Sequence, residues 1–158
     1  MNPITDNVVF RLGGLIGRDN AILGLLIDSR YEVRNRIGRG GMGEIFFAHD
    51  TRLNRPVAMK ILGRGMSNPE SIARFEAEAR TMSHIENPGI VPIHDLGTLP
   101  DGRVYYTMKL VSGRTLGEVM TDSKREALLD LLVAACEIVH FAHDRNVIHR
   151  DLKPANIM

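Results

Sequence analysis

Tyr31–Asp50 reads YEVRNRIGRGGMGEIFFAHD. YEVRNRI alternates and is rich in β-formers, GRGGMG interrupts it, and EIFFAHD resumes strand character, so the stretch is a hairpin with a glycine-rich turn. Gly38, Gly40 and Gly43 stand in a G-x-G-x-x-G arrangement. A backbone without side chains can close over phosphates and offer them its N–H groups. A dinucleotide-binding βαβ unit needs such glycines between a strand and a helix. Strand residues follow here at once, so that reading fails. The pattern G-x-x-x-x-G-K-[ST] does not occur, which removes the P-loop class. Alone, the glycine string could equally be a plain flexible hairpin, and its neighbours must discriminate.

RPVAMKIL (Arg55–Leu62) reads as a third strand, with Pro56 at its start, where a missing N–H is tolerated. Side chains alternate along a strand, so Ala58 and Lys60 share one face and Val57, Met59 and Ile61 the other. A small residue beside a lysine leaves room for a flat base and supplies a cation for its phosphates. An isolated strand lysine would instead be a solvated surface charge.

SNPESIARFEAEARTMSHI is a helix, with Asn68 as cap, Pro69 at the first position and Glu70 complementing the dipole. Ile72, Phe75, Ala79, Met82 and Ile85 form its apolar stripe. Glu76 and Glu78 are both candidates to pair with Lys60. Glu78 borders the stripe, three residues after Phe75 and four before Met82, and is the better partner; an exposed helix acid is the alternative.

IVPIHDLGTL and GRVYYTMKLV follow as two more strands joined by the PDG turn at Pro100–Gly102. A short helix is expected at Leu116–Met120 and a long one at Lys124–Asp144, ended by Asn146 in the left-handed cap conformation. Strands with one inserted helix, then helices, indicate an α+β fold with an antiparallel sheet rather than alternating βαβ units. Residues 1–30 are weakly patterned; LGGLIG and AILGLLIDSR could be a short helix packed on the domain or a lead-in segment.

HRDLKPANIM (His149–Met158) carries the densest chemistry. Asp151 can orient and deprotonate a hydroxyl, Lys153 can neutralise a transferred phosphoryl group, and the Asn156 oxygen can hold Mg²⁺. His140, His143 and His149 could suggest a metal site, but no H-E-x-x-H or third-ligand pattern accompanies them.

The chain has 158 residues, enough for one domain with a real core. Hydrophobic residues make up 44% and charged residues 25%, an ordinary globular mixture. A net charge of +1 gives no electrostatic reason to expect nucleic acid or an anionic membrane as partner. Cys136 is the single cysteine; its apolar run predicts a buried, inert thiol. The apolar run Ala21–Ile27 is far shorter than the roughly 20 residues of a membrane helix. No signal peptide stands out, and with cysteine poverty this points to the cytoplasm.

Taken together, IGRGGMGEIF, RPVAMKIL, RFEAEARTMSHIENPGIVPIHDLG and HRDLKPANIM resemble the eukaryotic-type serine/threonine protein kinases, the bacterial members in particular. The resemblance covers 31–158: an N-terminal lobe and hinge over 31–111, with a five-stranded sheet and one helix, and the start of a C-terminal lobe over 112–158. It implies ATP and Mg²⁺ as substrate and cofactor and a protein carrying Ser/Thr hydroxyls as phosphoryl acceptor. ATP would lie under Ile37, Gly38, Gly40, Gly41, Met42 and Gly43, with Ile45 and Ala58 against the adenine. Met108 falls at the gatekeeper position and Lys109–Val111 at the hinge whose backbone binds the adenine edge. Lys60, held by Glu78, would contact the α- and β-phosphates. Asp151 matches the catalytic base, Lys153 the phosphate-contacting lysine of Ser/Thr enzymes, and Asn156 a Mg²⁺ ligand. His149 would brace the loop, and Arg150 resembles kinases controlled by activation-loop phosphorylation.

D-F-G, an activation loop, A-P-E and the peptide-platform helices are not among these residues. Phosphoryl transfer rests on metal and cation placement, so the chain alone is expected to transfer phosphate orders of magnitude more slowly than a whole domain. A catalytically inactive nucleotide-binding or interaction module is therefore the alternative. A small-molecule phosphotransferase of the aminoglycoside or choline kind fits the full glycine loop and HRDLKPAN less well. The long helix is apolar around most of its circumference, which predicts an exposed patch and self-association through 124–144.

Overall fold

The computed structural model describes residues 22–158. β2 (Tyr31–Gly40) and β3 (Gly43–Asp50) form the glycine-rich hairpin, with Gly40 opposite Gly43 and register shifts at Val33/Asn35 and Arg36/Gly38. β4 (Arg55–Leu62) pairs with β3, and β6 (Val104–Lys109) lies between β4 and β5 (Ile93–Thr98). A two-residue strand, β1 (Leu26–Ile27), adds to the free edge of β2. The order β1-β2-β3-β4-β6-β5 is antiparallel throughout, the expected α+β sheet with one strand more than the five anticipated.

That extra strand settles the described part of AILGLLIDSR, which joins the sheet edge instead of forming a helix. Gly24 N–H donates to Val33 O at 2.7 Å and Val33 N–H to Leu25 O at 3.0 Å, while Ile22 and Ile27 are buried. LGGLIG, Leu12–Gly17, lies outside the described residues.

Strand alternation makes two cores. On one face Val33, Phe46, Ala48, Val57, Met59, Ile61 and Tyr105 pack with Ile22 and Ile27. On the other, Leu62, Val104 and Tyr106 receive Phe75 and Ala79 of α1 (Pro69–Ser83). α1 begins as expected: Asn68 accepts a hydrogen bond from Ser71 N–H at 2.8 Å, with Pro69 in the first turn. Within its stripe Phe75, Ala79 and Ile85 are buried, whereas Ile72 and Met82 are half-buried.

α2 (Leu116–Val119) starts at a reciprocal cap in which Glu118 N–H donates to Thr115 Oγ1 and Thr115 N–H to Glu118 Oε2. α3 (Arg125–His143) follows, and Asn146 adopts φ +60° just beyond it, as its side chain tolerates. α3 contains no buried residue. Cys136 is exposed, contrary to the expected buried thiol, because no described element covers that side of α3. Within this part Leu116 N–H donates to Ile157 O at 2.7 Å, and Gly89, ahead of β5, abuts α3 closely enough that a Cβ there would lie 2.2 Å from Ile138 Cδ1. No helix of the described residues is long and apolar enough to cross a membrane.

Candidate active site

The antiparallel register assembles the first half of the site. Directly opposed residues project to the same face. Ile45 opposes Gly38 on one side and Lys60 on the other; Ala58 opposes Met108, and Lys60 opposes Tyr106. Ile45, Ala58, Lys60 and Met108 therefore share one face, of which β4 parity alone had grouped Ala58 and Lys60. Gly41 and Met42 form the tip of the hairpin above it, and Ile37 is half open to solvent at its rim. Lys109 N–H donates to Pro92 O at 3.1 Å, anchoring the chain as it leaves β6 toward Val111.

The glycines of the hairpin differ in what they are for. A Cβ on Gly43 would lie 2.1 Å from Ile61 O, a close approach of two backbones that only glycine permits. Around Gly40 and Gly41 nothing lies within 4 Å, so packing does not demand glycine there, and the open backbone is free to meet a ligand.

Lys60 Nζ reaches Glu78 Oε1 at 2.6 Å, choosing Glu78 over Glu76, which pairs with Arg80 on the outer face of α1. Tyr106 Oη donates to the same Glu78 Oε1 at 2.7 Å. Burial, and then the Glu78 charge, push the Tyr106 phenol well above its ordinary pKa, so it is a neutral donor. Tyr106 escaped the sequence reading, although the signal was present: it stands two residues before Met108 and so faces the same way.

The second half is the loop His149–Asn156. Lys153 Nζ lies 3.0 and 2.8 Å from the two Asp151 carboxylate oxygens. Asn156 Nδ2 donates to Asp151 O at 2.8 Å and to Asp151 Oδ2 at 3.1 Å. Lys153, then Asn156, hold the Asp151 carboxyl below its usual range. Asp151 N–H donates to His149 Nδ1 at 3.3 Å, the bracing expected of that histidine. Arg150 has φ +62°, left-handed for a residue with a Cβ, at a cost of about 1 kcal/mol or more.

Both amide hydrogen bonds of Asn156 use its nitrogen, leaving Oδ1 for a hard cation. No group of three or more His, Cys, Asp or Glu able to hold a metal occurs among the described residues. The donor set fits Mg²⁺ in its usual form, with one protein oxygen or two and the remainder from phosphates and water. Among the described residues no hydrogen bond or ion pair joins the Lys60–Glu78 half to the Asp151 loop.

The protein kinase domain model matches residues 31–158. Serine/threonine-protein kinase PknA of Mycobacterium tuberculosis is 40% identical over 144 residues, covering 86% of this chain and 33% of PknA. Serine/threonine-protein kinase PknB of Mycolicibacterium smegmatis is 38% identical over 140 residues, covering 84% of this chain and 22% of PknB. The crystal structure of the M. tuberculosis PknI kinase domain superimposes with a TM-score of 0.69 at 27% identity, covering 84% of this chain and 55% of that one. The chain thus spans about a third or less of these two curated relatives and about half of the solved domain. With the glycine hairpin, the paired lysine and the Asp151 loop in the family order, this chain belongs to the protein kinase family.

Proposed function

We propose that these residues are the nucleotide-binding lobe and catalytic loop of an ATP-dependent serine/threonine protein kinase. The observation that carries the reading is the Lys60–Glu78 pair, 2.6 Å long and set under the glycine hairpin. A lysine on a rigid strand, oriented by a carboxylate from a helix, presents a fixed cation to the α- and β-phosphates. The Gly40–Gly41 backbone closes over the phosphates. Ile45, Ala58 and Met108 offer an apolar slot for the adenine, and the Lys109–Val111 backbone its edge contacts. Asp151 orients the acceptor hydroxyl and takes its proton, and its depressed pKa keeps it ionised near neutrality. Lys153 offsets charge on the phosphoryl oxygens, and Asn156 is the protein's ligand for Mg²⁺, which when bound neutralises phosphate charge. The acceptor is a protein Ser/Thr hydroxyl, and the cytoplasm, where ATP is abundant, is the proposed location.

Nucleotide binding tests the lobe directly. Mg²⁺-ATP is expected to bind this chain, and Lys60→Met to weaken binding about tenfold, the size of one charged contact with a partly solvated phosphate. Equal affinity of the two proteins by calorimetry would overturn the placement of Lys60. In a chain that also carries the rest of the domain, transfer to serine or threonine that Asp151→Asn removes supports the enzyme. ATP binding with no transfer supports the inactive module instead.

Self-association belongs to the same proposal. Leu129, Leu132 and Val133 of α3 are each more than half exposed and, at i, i+3 and i+4, share one face of the helix, with Leu131 more than two-fifths exposed nearby. Contiguous apolar surface of this kind favours pairing in water. Sedimentation of this chain is expected to show a concentration-dependent shift above the monomer, which Leu132→Glu reduces; a single monomeric species at all concentrations refutes it.

A further inference from the structure

We infer that Tyr106 is a positioning residue whose hydroxyl latches α1 to the sheet, holding Glu78, and through it Lys60, ready for the nucleotide phosphates. The inference rests on the ATP-binding reading for its functional consequence, though the latch itself is a matter of geometry.

Phe75 and Ala79 pack α1 against the sheet through apolar contacts. Such contacts are non-directional and allow a helix to slide or roll. Among the described residues, the only hydrogen bonds from α1 to the strands are the two that converge on Glu78 Oε1, from Lys60 Nζ at 2.6 Å and Tyr106 Oη at 2.7 Å. The Glu78 side chain is 33% exposed, so without those bonds it could turn to solvent and regain rotamer freedom. Lys60 cannot be the sole anchor, because its ammonium is also the group that must serve the phosphates. A second donor keeps the carboxylate in place while Lys60 divides its bonds between Glu78 and the ligand.

The rest of the Tyr106 side chain has a separate task. Its ring centroid lies 5.0 Å from that of Phe75, and the Lys60 ammonium sits 5.4 Å from the Tyr106 ring centroid and 5.6 Å from that of Phe75. These contacts survive if only the hydroxyl is removed, so packing and latch can be separated by one atom. The phenol is 2% exposed, and the environment that raises its pKa keeps its proton in place. The strand register explains the placement: Tyr106 is the direct partner of Lys60 across β4 and β6, so both side chains rise from one point of the sheet toward one carboxylate.

The test uses this chain, its Tyr106→Phe and Glu78→Ala variants and the double variant. Two readouts are taken: affinity for a fluorescent ATP analogue with Mg²⁺, and amide hydrogen exchange along α1 without nucleotide. Tyr106→Phe is expected to weaken the analogue about fivefold or more and to speed exchange in α1 by a similar factor, the effect of one hydrogen bond to a partly solvated carboxylate. In the Glu78→Ala background the same change is expected to alter both readouts less than about twofold, since the hydroxyl then has nothing to hold. Unchanged exchange and affinity in Tyr106→Phe overturns the latch, as does an effect of equal size in both backgrounds. If wild type does not bind the analogue, the ATP reading fails, and the exchange measurement alone decides whether Tyr106 holds α1.

Discussion

Gly43→Ala is expected to destabilise the protein by about 3 kcal/mol or more, the upper range for forcing a group into closed space. In thermal unfolding that is a fall of roughly 10 °C for a chain of this size. The obstacle is backbone: the new Cβ would lie 2.1 Å from Ile61 O, 3.0 Å from Ile61 C and 3.2 Å from Gly63 N. No side chain can turn aside to relieve it. β3 would have to separate from β4, breaking the pairing of Gly43 with Leu62 beside the tip of the hairpin. Gly40→Ala and Gly41→Ala meet nothing within 4 Å and should leave stability within about 0.5 kcal/mol while weakening nucleotide binding. A Gly43→Ala protein as stable as wild type would show that the close approach is dispensable. The three variants are expected to separate, within one glycine-rich turn, a position the fold requires from two proposed to serve the nucleotide.

Removing the Asp50 carboxylate is the second large effect expected. Arg30 holds it with two hydrogen bonds, Nε to Oδ1 at 2.9 Å and Nη2 to Oδ2 at 2.8 Å. The same Oδ1 accepts from Arg52 N–H at 3.2 Å and Leu53 N–H at 3.3 Å, closing the turn into β4. The side chain is inaccessible to solvent, and Arg55 Nε, also buried, lies 3.7 Å from Oδ2. Asp50→Ala would leave both guanidinium groups short of charge and two turn amides short of an acceptor. Breaking a buried pair costs about 3–5 kcal/mol, and the Arg30 contact to Asp95 at 3.0 Å places this case at the lower end. Chemical denaturation measures it, and a loss below about 1 kcal/mol would refute the assignment.

Asp50 also sets an acid limb. Hydrogen bonding to Arg30 lowers its pKa from 3.8 to about 2. The unfolded chain therefore binds more protons between those values. The stabilisation, about 2 kcal/mol, is present above pH 4 and is lost as pH falls through 2. Asp101 shifts in the same direction, held down chiefly by Arg103, so the diagnostic is the difference between wild type and Asp50→Asn. That difference should shrink as pH drops from 4 toward 2; a constant gap would place the cause elsewhere.

Much of the candidate site was legible because short-range rules govern it. Strand parity placed Ala58 and Lys60 together, and helical spacing chose Glu78 over Glu76. Asn68 and Pro69 announced the start of α1. In the compact loop His149–Asn156 the bracing role of His149 was expected, whereas the bonds of Lys153 and Asn156 to Asp151 emerged only in the structure. Where reading failed, the missing information was long-range. The apolar run around Cys136 pointed to a buried thiol, but burial depends on what lies against it, and among the described residues no element covers that side of α3. The edge strand at Leu26–Ile27 was hidden because two residues carry no periodicity; only their pairing with Tyr31 and Glu32 reveals them.

The sequence by itself determined the family and the sheet-then-helix order, since both rest on motifs and spacing along single strands, helices and loops, and it named the residues proposed to face a nucleotide. Only the tertiary structure decided which distant groups converge. It brought Tyr106 and Lys60 to one oxygen of Glu78, Arg30 to Asp50 and Asp95, and the Gly43 backbone against Ile61. Such meetings depend on strand register and sheet curvature, which set distances between residues that no local pattern links.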